Sequence, residues 1–195
     1  MRSGVVWLIA AALSVSGIAP EAAAEQDRAA PSEAPEAFGR EGPESVSGYV
    51  TTELIAEHVS VQPGGSTRIG VHFDLAKGWH IYAEDPGDAG LPTQVVWSGP
   101  PGVVFGPLQW PKPQQFIDPG HIRTFGYIGA LVLSSGVTVA PTAIPQDTIS
   151  IRAKVKWLAC KDTCIPGSAS LELTLPVSSS PPVFSTHAEF FDHTN

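Results

Sequence analysis

Apolar and polar residues alternate along three long stretches of the chain. In residues 67–75, Ile69, Val71, Phe73 and Leu75 alternate with Arg68, Gly70, His72 and Asp74. In residues 148–157, Ile149, Ile151, Ala153, Val155 and Trp157 alternate with Ser150, Arg152, Lys154 and Lys156. In residues 168–177, Ala169, Leu171, Leu173, Leu175 and Val177 alternate with polar residues and Pro176. Successive side chains of a strand point to opposite faces, so each stretch predicts one buried and one wetted face. Weaker strand patterns occupy residues 49–58, 80–82, 94–97, 103–105, 129–133 and 137–140. No long amphipathic helix is predicted among them. Eight or nine short strands divided by turn residues predict an all-β, two-sheet sandwich.

The flanks read differently. Arg2, an apolar run over residues 5–15 and then Ala22, Ala23 and Ala24 predict a secretory signal peptide, residues 1–24, cleaved before Glu25. The run is shorter than the roughly 18–20 residues of a membrane span. Residues 25–48 are rich in Ala, Pro, Glu, Gly and Ser. Such a segment buries too little apolar surface to offset its ordering entropy, and a disordered linker is expected there. The folded domain is placed at residues 49–178. Residues 179–195 are read as a flexible C-terminal tail, in which Phe184, Phe190 and Phe191 leave room for a short helix or a docking segment.

Composition agrees with the pattern. Nineteen Gly and nineteen Pro in 195 residues favour turns over a helical bundle. The net charge of −8 falls mainly on the flanks. Residues 25–48 carry six acids against two bases, and residues 49–178 ten acids against eight bases. The folded part is nearly balanced, and no nucleic-acid partner is expected.

The chemistry centres on the two cysteines, Cys160 and Cys164, in a loop joining the two best strand patterns. In an exported protein such a pair is normally bonded. Closing so short a loop restricts the unfolded chain by about 2 kcal/mol, against nearly 5 for a loop of about 100 residues. That small return favours a redox pair over a structural staple, with a metal site as a third reading. Lying between strands, the pair has no helix dipole to depress a thiol pKa. Lys156 and Lys161 favour a thiolate, and Asp162 opposes one. A second cluster, residues 78–92, offers His80, Tyr82, Glu84, Asp85 and Asp88 as site-lining groups, with a plain polar loop as the alternative. A third, residues 110–121, is a Pro-rich loop with Phe116 and Ile117 at its tip.

Taken in order, these motifs carry a resemblance. Gly-Trp-His-Ile-Tyr, Asp-Pro-Gly-Asp-Ala-Gly-Leu-Pro, Trp-Pro-x-Pro, Phe-Gly-Tyr-Ile-Gly and Trp-Leu-x-Cys-x₃-Cys-Ile-Pro-Gly run through residues 78–167. Together they resemble the N-terminal periplasmic domain of the thiol:disulfide interchange protein DsbD and its suppressor-of-copper-sensitivity relatives. The resemblance implies an immunoglobulin-like sandwich and a Cys160–Cys164 dithiol–disulfide pair working in the periplasm. By the same resemblance Cys164 is the nucleophile and Cys160 resolves the mixed disulfide. Tyr82 is then the active-site tyrosine, with His80 beside it. Residues 112–121 form a cap loop, with Phe116 its capping side chain. The implied donor of electrons is a membrane electron-carrier protein or a thioredoxin-like domain. The implied acceptors are oxidised periplasmic thiol proteins, including disulfide isomerases and cytochrome c maturation proteins. The cysteine spacing is shorter than in the best-known members. Family members usually continue into membrane helices and a thioredoxin-like domain, so electrons are expected from separate proteins, unless the thiols of this chain have another use.

Two other readings stay open. One is a copper or zinc module using Cys160, Cys164 and His80 or His121. The other is an immunoglobulin-like interaction module with an inert disulfide. No G-x-S-x-G, H-E-x-x-H or phosphate loop supports a hydrolase or nucleotide enzyme, and no cofactor is expected.

Overall fold

The structure, a computed structural model, describes residues 48–118, 120–144 and 147–192. The signal-peptide and linker readings lie outside the described residues, apart from Gly48. The described part is nearly all β. Its strands are β1 (Val50–Ala56), β2 (Ser66–Leu75), β3 (His80–Gly87), β4 (Gln94–Ser98), β5 (Val103–Gln109), β6 (Gln114–Asp118), β7 (Ile122–Ile128), β8 (Ala130–Val139), β9 (Thr148–Cys160) and β10 (Cys164–Pro176).

They form two antiparallel sheets, as an immunoglobulin-like sandwich requires. One has the order β1-β2-β8-β5. The other has the order β10-β9-β3-β7-β6, with β4 also paired to β9. Strand β9 organises the second sheet. One edge pairs along its whole length with β10, from Thr148↔Pro176 to Cys160↔Cys164. Its other edge is shared: β4 takes Arg152 to Lys156, and β3 takes Ala159 and Cys160.

The alternation read from sequence is realised. Ile149, Ile151, Ala153, Val155, Trp157 and Ala159 of β9 are all buried, as are Ile69, Val71, Phe73 and Leu75 of β2. The sheets meet through them, and Phe73 of one packs edge to face on Trp157 of the other, with ring centroids 5.9 Å apart. Burying each such side chain stabilises the sandwich by roughly 1.5–3 kcal/mol.

Three features depart from the expected strand map. The patterns at residues 129–133 and 137–140 are one strand, β8. Ser134 and Ser135 between them are buried rather than a turn, and the Ser135 hydroxyl donates to the Gly106 carbonyl at 2.7 Å. Strands β6 and β7 were not among the expected strands. β6 occupies the Pro-rich loop, and β7 carries Gly126 in mid-strand. A Cβ at Gly126 would stand 2.2 Å from the Ile81 carbonyl oxygen, so close backbone approach excludes the larger residues that make a strand legible.

The stretch read as a flexible tail is ordered up to Asp192. Val177 bridges Val61 and Phe184 bridges His58. Ala188–Phe191 form one turn of 3-10 helix. Phe191 is 1% exposed and clusters with Ile55 and Val132, on the face of the four-stranded sheet turned away from the core. Arg68 fastens it. Its guanidinium donates to both carboxylate oxygens of Glu57, at 3.0 and 2.6 Å, and to the Phe191 carbonyl at 2.6 Å. The same hydrogen bonds hold the Glu57 carboxyl below the usual carboxylate range, against the opposing effect of burial. A single pair of Phe residues gives no periodicity, so their burial depends on an outer-face socket the sequence does not display.

Candidate active site

Cys160 and Cys164 are the facing residues at the mouth of the β9–β10 hairpin. Only Lys161, Asp162 and Thr163 lie between them, and the sulfurs are bonded. Their Cα atoms are 4.1 Å apart. The ladder sets these two residues opposite each other.

The two sulfurs differ in access. Cys160 is 2% exposed, whereas Cys164 is exposed. The sequence places Cys160 at the end of a buried pattern, but its burial has another origin. Alternation puts Ala159 in the core and turns Cys160 outward with Lys156 and Leu158. Neither Cys160 nor Tyr82 belongs to the core cluster. Cys160 is buried by side chains laid over the outer face of the six-stranded sheet.

Those side chains come from the Gly-Trp-His-Ile-Tyr segment, which starts β3 after a tight turn at Gly78 (φ 86°). With a period of two, Trp79 and Ile81 go to the core while His80 and Tyr82 go outward. His80 pairs in register with Cys160. The Tyr82 hydroxyl donates a hydrogen bond to the Cys160 sulfur at 3.3 Å. The His80 ring stands edge-on to Tyr82 at 5.2 Å and stacks on Phe116 at 5.0 Å. Phe116 therefore reaches the disulfide through His80. It projects from β6, opposite Thr124 of β7, and not from an irregular loop.

The Asp-Pro-Gly-Asp-Ala-Gly-Leu-Pro segment fixes Tyr82. Asp85 accepts from the Gly87 N–H at 3.0 Å, and Asp88 accepts from the Arg123 N–H at 2.9 Å, tying the segment to β7. Thr93 is buried and donates its hydroxyl to the Tyr82 carbonyl at 2.9 Å. Gly90 lies flat on the phenol ring. A Cβ there would meet Tyr82 Cε1 at 2.3 Å, and its φ of 101° disfavours any other residue. Gly90→Ala is expected to cost about 1–3 kcal/mol in urea denaturation. It should also speed alkylation of Cys160 in the reduced protein by dislodging Tyr82. If both stay at wild-type values, the segment is not seated on Tyr82.

The structure thus gathers Cys160, Cys164, Tyr82, His80 and Phe116 of the residues singled out in the sequence. It assigns Asp85 and Asp88 to the architecture of a turn, and leaves Glu84 exposed. His121 sits exposed in the β6–β7 turn with φ 62°. Among the described residues no group of three His, Cys, Asp or Glu side chains is arranged to hold a metal ion. Sequence reasoning missed Gly90 and Thr93 as supports of Tyr82. One is a Gly in a Gly-rich stretch and the other a lone Thr, and neither type announces a contact.

The family model for the N-terminal domain of the thiol:disulfide interchange protein DsbD matches residues 51–176. The chain belongs to the DsbD N-terminal domain family. This match covers the sandwich with the whole cysteine hairpin. The fold is similar to the N-terminal periplasmic domain of ScsB from Proteus mirabilis, at 21% identity and a TM-score of 0.53. That likeness covers 77% of this chain but 53% of the ScsB chain, so this chain spans about half of that relative's length. The reduced DsbD N-terminal domain of Neisseria meningitidis aligns at 14% identity and a TM-score of 0.31, over 68% of this chain and 90% of that one. Comparison with curated protein sequences gives no significant match. Membership in the DsbD N-terminal family makes this a thiol–disulfide exchange domain. Among the described residues no helix is long and apolar enough to cross a membrane.

Proposed function

We propose that this chain works in the periplasm as a carrier of reducing equivalents, taking electrons from a membrane electron carrier or a thioredoxin-like domain. It hands them to oxidised periplasmic thiol proteins through Cys160 and Cys164. One observation carries the reading. An exposed cysteine is bonded to a buried one whose sulfur accepts a hydrogen bond from Tyr82.

The exchange balances as follows. A donor thiolate attacks the exposed Cys164 sulfur, a donor–Cys164 disulfide forms, and the Cys160 sulfur leaves as thiolate. The Tyr82 hydroxyl donates to that leaving sulfur, which lowers its basicity and makes it a better leaving group. The donor's second thiolate then attacks its own sulfur in the mixed disulfide and releases Cys164. Two electrons have moved to this domain, and the donor is oxidised to its disulfide. In the forward direction the Cys164 thiolate attacks an acceptor disulfide. Cys160 then attacks Cys164, re-forming the pair and releasing the reduced acceptor.

The test is whether the pair cycles within a folded domain. The oxidised and reduced forms are expected to differ in unfolding free energy by about 2 kcal/mol at most, because the closed loop is so short. Urea denaturation of both forms, with thiol trapping to verify each state, measures it. A loss above about 4 kcal/mol on reduction would exceed what the loop can contribute and would make the bond a staple.

A further inference from the structure

The near balance of charge along residues 49–178 conceals a sorted surface. The outer row of β9 reads Arg152, Lys154, Lys156, Leu158, Cys160. Arg152 is neutralised by Glu172, whose carboxylate accepts from its guanidinium at 3.2 Å. Lys154 and Lys156 have no such partner among the described residues. Both are exposed, and their neighbours across the ladder are uncharged: Gln94 and Ser168 beside Lys156, Val96 and Ser170 beside Lys154.

The shape of this face suits docking. The outer row of β10 beside it is short-chained, with Pro166, Ser168 and Ser170 following Cys164. The two ammonium groups therefore stand above a low surface. Val96 adds an apolar patch at 61% exposure. On the β3 side, the Tyr82 hydroxyl donates to the Cys160 sulfur, and His80, paired with Cys160, carries the Phe116 ring on its own. Lys154 and Lys156 stand on β9 in the same outer row as Cys160, between the low row of β10, which carries Cys164, and Val96 of β4. Lys156 is four residues from Cys160, about 13 Å along a strand. A partner footprint of the usual size, about 800 Å², reaches both.

From this arrangement we propose that Lys154 and Lys156, with Val96, form the docking surface for redox partners that carry acidic side chains around their own cysteines. The proposal rests on the exchange function above and specifies its partner. It is notable in a chain of net charge −8, which otherwise repels acidic proteins. The charges steer the encounter, so their effect belongs to the association rate and is screened by salt.

The experiment uses two synthetic dithiol peptides with the same Cys-x-x-Cys centre, one flanked by Glu and one by Lys, and dithiothreitol as an uncharged reductant. Second-order rates for reduction of the oxidised protein are measured at low and high ionic strength. The Glu peptide is expected to react about tenfold faster than the Lys peptide at low salt, with the gap closing at high salt. The double variant K154E/K156E should reverse the preference, and K154Q/K156Q should abolish it. At high ionic strength, where the effect of the lysines on the reacting thiolates is screened, both should leave the dithiothreitol rate within about twofold of wild type. Equal rates for the two peptides, or an unaltered preference in the variants, would overturn the docking surface while leaving exchange intact. Failure of dithiothreitol itself to reduce the folded protein would instead remove the exchange function, and this proposal with it.

Discussion

Cys160→Ala is expected to accumulate mixed disulfides through Cys164, and Cys164→Ala to form almost none. The difference should be on the order of a hundredfold or more, the scale on which loss of a reacting group is felt. It follows from the unequal burial of the two sulfurs. Exchange needs a third sulfur to approach along the axis of the breaking bond. Cys164 is the exposed residue of the pair. At Cys160, 2% exposed and roofed by Tyr82, that approach is blocked. Removing Cys160 leaves the exposed thiol able to attack, but takes away the group that would resolve the product. Removing Cys164 leaves a thiol no protein disulfide can reach. Incubation of each reduced variant with oxidised thioredoxin-fold proteins, followed by non-reducing electrophoresis, reads the outcome. Equal trapping by both variants would mean that the aromatic cover opens freely and that exposure does not choose the nucleophile.

The largest expected effect on stability lies on the other sheet. Phe191→Ala should lower the unfolding free energy by about 3 kcal/mol, the lower end of the range for a fully buried Phe. The ring is 1% exposed, packed on Ile55 and Val132, and lies under the Arg68 guanidinium at 5.3 Å. Gly70 makes room for it, since a Cβ there would come within 3.3 Å of the ring. Without the ring, the Arg68 bond to the Phe191 carbonyl, the Phe190 ring on His72 and the Ser185 hydrogen bonds to Ala56 and Glu57 must hold the segment, and undocking sets the upper limit of the loss. Urea denaturation measures it. The dithiothreitol reduction rate should be unchanged, because the contact belongs to the four-stranded sheet. A loss below about 1 kcal/mol would mean the segment adds little to the fold.

These two expectations mark how far the sequence could be read. The core faces of β2, β9 and β10 were legible because one face of β2 and β9 is buried and that of β10 half-buried, and burial writes itself as alternation. The site was legible where strand geometry governs it: His80 and Tyr82 are two apart on one face, and Cys160 and Cys164 flank a three-residue turn. The cover of Cys160 was less legible. Phe116 lies in a strand hidden by prolines, and its link to the disulfide through His80 is a contact between strands far apart in the chain. Gly90 and Thr93 act on Tyr82 by close fit, which depends on what is absent as much as on what is present. Phe191 belongs to the same class, since the socket that buries it is built by Ile55, Gly70 and Val132 from three strands.

The position of the cysteines at the end of a ladder has a kinetic consequence. The β9–β10 ladder runs through both cysteines, so reduction is expected to leave the hairpin in place, and the oxidised and reduced forms of the domain should present nearly the same contour. A partner then recognises both alike by its non-covalent contacts and tells them apart only by sulfur chemistry. If the domain works as a carrier, turnover should show product inhibition, with the oxidised domain competing with the reduced domain for the acceptor.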